Sequence, residues 1–370
     1  MVDIPNLPLE EYEVPSEEIQ SSVGAVNDYT GSVEFGVLGS GQCGGRLVKS
    51  FHDAGYKKAL AINTAKADLN PLELSESQKL LIGELQGSGK DMKKGEKATK
   101  DNAQMIFDKI RDVFGTVDKI IICVGFGGGT GAGGLTTLIA VAEKYLDFLG
   151  HKEPAKDIII IAALPTAGEL RSYNTKKNNE RIQEIMFELA SESKVGPIIL
   201  IDNSKIERLY RGIPPVKFWD TINGTITNLF HIFNYLSKQE SGYTSFDTED
   251  YKAILGTPGL AVLGVTRVDN EDSSDPEVSQ ALQDNLKKTL LADMVDYETA
   301  SEAACIVVAD TGVMESVSMD VFNYGFDTIN NLIGHANVHR GLYDTPHKGV
   351  RAYTFIAGMK AKPVDNNSVY

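Results

Sequence analysis

The sequence predicts an α/β protein with a doubly wound parallel sheet, a long connecting helix and a smaller α/β segment after it. Three observations lead there. From Val33 onward, short β-branched runs alternate with longer helical segments. The runs are apolar throughout, as strands covered on both faces require. Two glycine-rich turns each stand between such a run and a helix.

Residues 1–30 hold seven acids, three prolines and no Lys or Arg, a composition that cannot fold alone, and are expected to be an acidic extension. Strand runs follow at Glu34 to Leu38, Ala59 to Asn63, Lys79 to Ile82, Lys119 to Val124, Asp157 to Leu164 and Pro197 to Ile201. Between them, Thr99 to Val113 and Thr136 to Phe148 read as amphipathic helices, giving a first domain over 31–215. Pro214 and Pro215 introduce a connecting helix over 216–240, with its helical pattern at Lys217 to Lys238. Strand runs at Leu260 to Val268, Ala304 to Ala309 and Arg351 to Gly358 then predict a second, smaller domain over 241–360, with a short tail at 361–370.

The chain carries 51 acids against 36 bases, a net charge of −15, which argues against broad binding of nucleic acid or anionic lipid. The charge is local. Seven acids lie in the extension and five in the loop Asp269, Glu271, Asp272, Asp275 and Glu277; the remainder is 39 acids against 36 bases. Cys43, Cys123 and Cys305 make no disulfide framework and read as small packing residues, and no leader pattern opens the chain, so a reducing, cytoplasmic setting is expected. Apolar runs such as Ile158 to Leu164 fall far short of the roughly 20 residues that cross a bilayer, so no direct membrane insertion is expected. The histidines show no metal spacing; His335 and His339 are four apart without further nearby ligands, and no metal-binding side chains are assigned.

The first strand runs into Gly39-Ser40-Gly41-Gln42-Cys43-Gly44-Gly45 and then a helix from Arg46 to Phe51. Glycines there let the backbone approach a phosphate and aim helix amides at it. A nicotinamide site would need an acid ending the second strand, where the chain has Asn63-Thr64. A second run, Gly125 to Gly134, places seven glycines in ten residues after a strong strand, a nest wide enough for a di- or triphosphate, with Thr130 adding a hydroxyl. Gly87-Ser88-Gly89-Lys90 fails the Walker frame, because Glu84 and Asp91 stand where Gly and Ser or Thr belong.

The run Gly127 to Gly133, GGGTGAG, together with GQCG at Gly41 to Gly44, resembles the tubulin and FtsZ superfamily of polymerising GTPases, and the likeness continues in order over about 31–360. It implies GTP/GDP with Mg²⁺, held by Gly41, Gln42 and Cys43, by Asn63 and Lys66 of a second loop, by Gly89 and Lys90 of a third, and by Gly127, Gly128, Gly129, Thr130 and Gly131. Glu169, with Tyr173 in the same loop, would meet the ribose; Asn203 and Asn223 would read the guanine, and Trp219 would stack on it, with Phe218 as the competing stacker. Two amides, each with donor and acceptor, distinguish guanine from adenine.

Asp247 and Asp250 stand three apart at a predicted helix start and share a face. Alone, they read as a helix cap and a first-turn charge. The resemblance instead makes them catalytic acids that orient water in the pocket of the next subunit of a head-to-tail filament. Ala65 and Ala67 depart from the FtsZ pattern, leaving Lys66 or Asp68 to substitute. Details of the loops and of the ending Tyr353 to Met359 look closer to TubZ-like and phage tubulins, with CetZ next. That leaning implies DNA or phage positioning through an adaptor; the alternative is a division or cell-shape filament.

Overall fold

The computed structural model describes residues 2, 4, 31–83, 86–209, 214–268, 290–334, 336–346 and 349–362. The expected acidic extension beyond Ile4, the acidic loop at 269–277 and the tail from 363 lie outside them. Strands β1 (Phe35–Ser40), β2 (Ala59–Asn63), β3 (Lys79–Leu81), β4 (Lys119–Gly125), β5 (Ile158–Leu164) and β6 (Pro197–Asp202) are all parallel, in spatial order 3-2-1-4-5-6. That order reverses between β1 and β4, which opens a crevice at the carboxyl ends of those two strands. Both glycine turns leave the sheet there.

The remaining strands extend the same sheet. β7 (Gly259–Val268) runs parallel to β6 through Pro197↔Gly259 to Ile199↔Ala261. Beyond it lie β11 (Val350–Ala361), β9 (Glu302–Asp310) and β10 (Asn337–Thr345), with the short β8 (Val295–Asp296) pairing β11. The expected boundary near 216–240 is therefore bridged by strand pairing. β10 is absent from the sequence reading because its run, NVHRGLYDT, is polar and only partly buried at its start. It is an edge strand.

Alternate residues of the central strands feed two cores: Ile120, Ile122, Ile158 and Ile160 on one face, Ile121, Cys123, Ile159 and Ile161 on the other. α1 (Gly41–Asp53), α8 (Pro215–Leu236) and α9 (Thr248–Leu255) cover the second face. α4 (Ala103–Phe114), α5 (Thr130–Phe148), α6 (Tyr173–Ser191) and α11 (Met319–Ile333) cover the first. Short α2 (Lys66–Leu69), α7 (Asn203–Leu209) and α10 (Thr311–Ser316) follow strand ends. α8 buries Ile222, Ile226, Phe230 and Phe233 against both halves of the sheet, each contributing about 1.5–3 kcal/mol relative to exposure. Its 22 residues span about 33 Å at 1.5 Å each.

The expected single helix at Thr99 to Val113 is two, α3 (Met92–Asp101) and α4, because Asn102 turns its side chain back onto Ala98 O (2.8 Å) and Ile82 O (3.0 Å). α5 also starts earlier than expected, inside the glycine run. A Cβ at Gly133 would lie 2.1 Å from Met92 O and one at Gly134 2.4 Å from Thr99 Oγ1, so these glycines let α3 and α5 touch rather than widen the nest. Among the described residues no helix is long and apolar enough to cross a membrane.

At the amino ends of β4 and β5, Asp157 joins Lys119 (2.5 Å) and His151 (2.7 Å). The Asp157 hydrogen bond holds the His151 imidazole above its ordinary value, against the pull of burial. Burial draws the Asp157 carboxyl up, but hydrogen bonds from His151 and Lys119 bring it below its usual range. A raised folded value stabilises fully below the unfolded value of about 6.5 and loses that contribution as pH rises through the folded value. Burial lowers His52 and His231 and tilts the protein's own profile the other way, so a difference measurement is needed. We expect the melting-temperature gap between the parent and His151→Ala to be widest near pH 6 and to narrow toward pH 8.5; a gap that widens with pH would contradict the assignment.

Candidate functional site: a phosphate-cradling cavity

A cavity of about 630 Å³ opens at the crevice between β1 and β4. Two helix amino termini enter it without side-chain caps: α1, after Ser40, and α5, after Gly129. By contrast, Asp91 caps α3 and Asp247 caps α9 with their side chains. Orphan amides with the positive end of a helix dipole favour an anion.

Close backbone packing fixes this geometry. A Cβ at Gly44 would lie 2.3 Å from Cys123 O, and one at Gly131 2.6 Å from Ser40 O. Gly41 takes φ +74°, a left-handed conformation, beside Gly131 N. The first helix therefore begins at Gly41, earlier than the expected Arg46, so its first amides lie within the cavity lining.

Of the expected nucleotide contacts, Gly41, Gln42, Cys43, Asn63, Gly89, Lys90, Gly127 to Gly131, Glu169, Asn203, Trp219 and Asn223 line this cavity. Two do not. Lys66 is exposed on α2, where Asp68 is the side chain turned to the lining, accepting from Asn63 Nδ2 (3.2 Å) and Gln42 Nε2 (3.3 Å). Tyr173, the first residue of α6, is 77% exposed outside the lining. Trp219 lines the cavity and Phe218 does not; the two rings meet edge to face at 5.1 Å.

Further contacts around the cavity had no signal in the motifs. Arg46 lies over the Trp219 ring at 5.2 Å, a cation–π pair at the cavity wall. Thr64 and Thr130 share a hydrogen bond (2.8 Å), and Thr130 reaches Ser88 (3.2 Å), tying three loops by hydroxyls. Asn178 of α6, buried just outside the lining, donates to Lys90 O (2.9 Å) and to Gly127 O and Gly128 O (3.4 Å each), clamping the third loop to the glycine nest. Lys90 itself takes φ 64° and donates to Thr175 Oγ1 (2.8 Å). Asn203 Oδ1 is buried with no hydrogen-bond partner. A buried amide oxygen left unpaired costs about 1–3 kcal/mol unless a ligand donates to it.

Burial pushes the Cys43 thiol up to about 12, reinforced by Glu169 and opposed by Arg46. It stays a neutral thiol, a wall and not a nucleophile. Asp247 and Asp250 are not in the lining. They sit at the other end of α8, where the Tyr343 hydroxyl bonds Leu236 O (3.1 Å) and accepts from Phe246 N (2.9 Å). Asp247 caps α9 through Glu249 N (2.8 Å) and Asp250 N (2.9 Å), and Asp250 returns the contact to Asp247 N (3.1 Å). The capping role open to both acids is thus occupied in the isolated chain.

A doubly wound sheet whose switch-point cavity receives two uncapped helix starts defines a phosphate-cradling, nucleotide-binding α/β domain. Residues 34–211 match the family model described as the Tubulin/FtsZ family, GTPase domain. That segment is similar to the GTPase domain of the tubulin/FtsZ superfamily. The chain is 28% identical over 336 residues to the tubulin-like protein CetZ of Pyrococcus abyssi, covering 87% of this chain and 85% of that protein. Cell division protein FtsZ 2 of Haloferax volcanii is 25% identical over 290 residues, 77% of this chain and 65% of the relative. Among solved structures, a GTPγS-form protofilament of TubZ from Bacillus thuringiensis serovar israelensis superposes with TM-score 0.74 at 18% identity, over 90% of this chain and 89% of that one. The expected lean toward TubZ is not supported: the TubZ likeness, at 18% identity, shows the fold alone, and the sequence relatives are CetZ and FtsZ proteins.

Gly44→Ala should destabilise the protein by about 1–3 kcal/mol through backbone overpacking. Chemical unfolding measures it; an unchanged midpoint would show that the α1 start can shift off β4.

Proposed function

We propose that this protein binds GTP in the switch-point cavity and hydrolyses it to GDP and phosphate when copies stack head to tail, as a cytoskeletal filament protein. The observation that carries the nucleotide is the unpartnered Asn203 Oδ1, in one cavity with the two uncapped helix starts. Guanine presents donors at N1 and N2 that such an oxygen accepts, whereas adenine presents only its N6 amine on that edge. Trp219 offers a face for the base, and the Gly127–Gly131 turn and the α1 start cradle the phosphates. Mg²⁺ fits the donor set: the hydroxyls of Thr64, Thr130 and Ser88 and the Asp68 carboxylate are hard oxygens beside the phosphate nest, and the ion would neutralise phosphate charge.

The acids favour assembly as the trigger. They are pinned at the Leu236 end of α8, whereas the cavity receives Trp219 and Asn223 about 20–25 Å back along the helix. A single chain does not bring its own Asp247 and Asp250 to its own nucleotide, but a second copy stacked end to end would. Those carboxylates then orient the attacking water. The CetZ and FtsZ relatives favour a division or cell-shape filament over DNA or phage positioning.

Sedimentation with GTP, GDP and GTPγS tests the assembly: polymer with GTP and GTPγS is expected, and no pelletable polymer under any of the three would remove the filament reading. Asp250→Ala should bind GTP at parental affinity and accumulate long polymer while phosphate release falls at least about a hundredfold, a loss typical of removing a catalytic acid–base group. Asn203→Ala should weaken GTP binding by about 1–3 kcal/mol and narrow the preference over ATP, as titration calorimetry will read; equal loss for both nucleotides would displace Asn203 from the base.

A further inference from the structure

The edge strand β10 places His339, Gly341 and Tyr343 on the side that faces the acid-bearing segment 241–250. Three contacts hold that segment to it. Leu342 N donates to Thr244 O (2.8 Å), Tyr343 bonds both Phe246 and Leu236, and His339 Nδ1 lies 2.7 Å from Asp250 Oδ1. On its other side His339 Nε2 lies 2.8 Å from Glu302 Oε2, and Glu302 Oε1 accepts from Asn337 Nδ2 (2.9 Å). Each ring nitrogen of His339 thus faces a carboxylate oxygen. All three side chains are partly buried, with Asp250 the most open at 29%.

This is a chain of orientation. Asn337 and Glu302 are anchored on neighbouring strands β10 and β9. They fix the plane of the imidazole, and the imidazole fixes Asp250 Oδ1 while the Asp247 amide holds Oδ2. Asp250 stands in the first turn of α9, and the imidazole adds a second hold on its carboxylate beside the Asp247 amide, as the precise placement of a water-orienting group requires.

We propose that His339 is a positioning residue for hydrolysis, holding Asp250 in the orientation it needs when inserted into the cavity of a second copy, with Glu302 as its own anchor. The proposal rests on the reading of Asp250 as a catalytic acid. The alternative is that the Glu302–His339 contact merely stitches an edge strand to its neighbour. Side-chain length separates the two: an Asn amide stands in for Nδ1 toward Asp250, a Gln amide for Nε2 toward Glu302.

The experiment measures GTP affinity, polymer mass and phosphate release per polymerised subunit for the full chain and for His339→Ala, His339→Asn, His339→Gln and Asp250→Ala. His339→Ala should lose about ten- to a hundredfold in turnover with affinity and polymer mass within about twofold; His339→Asn should recover most of that turnover and His339→Gln little. Parental turnover in His339→Ala, or equal recovery by Asn and Gln, overturns the proposal. If His339→Ala fails to assemble, the Asn and Gln variants decide in the same way. Asp250→Ala separates the two levels. Full turnover in that variant removes the catalytic reading of the acid itself, whereas its loss beside an unaffected His339→Ala removes only the role of His339.

Discussion

The site depends on one constraint: two strand-to-helix turns, after β1 and after β4, pass each other with backbone against backbone. Gly44 lies on the Cys123 carbonyl, Gly131 on the Ser40 carbonyl, and Gly41 beside Gly131. No side chain fits between them. Because the turns are in contact, the two helices start side by side, and their free amides share one cavity. The hydroxyls of Thr64, Thr130 and Ser88 and the Asn178 amide then lock the second and third loops onto that pair. A shift in one turn is therefore felt in all of them.

The second organising element is α8. Its first turns carry Trp219 and Asn223 to the cavity wall, its middle fills the core beneath β1, β7 and β11, and its last turn ends at Leu236, where Tyr343 fastens the acid segment. Buried along most of its length, the helix works as a spacer of set length between the cavity wall and the acid segment. β6 and β7 make the same join in the sheet, so the two halves are coupled by both layers.

Where residues are apolar on both faces or must be glycine, the fold was legible from sequence. Nine strand runs and both glycine turns were visible because fully buried strands leave uninterrupted β-branched runs, and because close backbone approach admits only glycine. The failures share a cause as well. β10 is polar because one flank of an edge strand meets loops, so no periodicity marks it, and with it His339 loses its context. Asn102 splits a helix by a side-chain bond that composition does not reveal. Gly133 and Gly134 look like the phosphate-facing glycines before them, although their neighbours are on α3. Lys66 and Tyr173 come from a linear motif, yet a helix of one turn and a helix start leave them exposed. Arg46 and Asn178 lie one or more turns inside helices, where a loop motif gives no reason to look.

The two borders of the sheet bear on how copies of the chain can meet. At one border β3 has only three residues, too few to template another strand. At the other, the free side of β10 is taken in part by its own chain, through the bridge of Thr244 to Leu342 and the bond from Ser241 to the Leu342 carbonyl. Sheets with such blunted borders do not extend by adding strands. Lateral fusion into a continuous β-ribbon is disfavoured, and the strand tips, with cavity at one pole and acids at the other, are the surfaces left for ordered stacking.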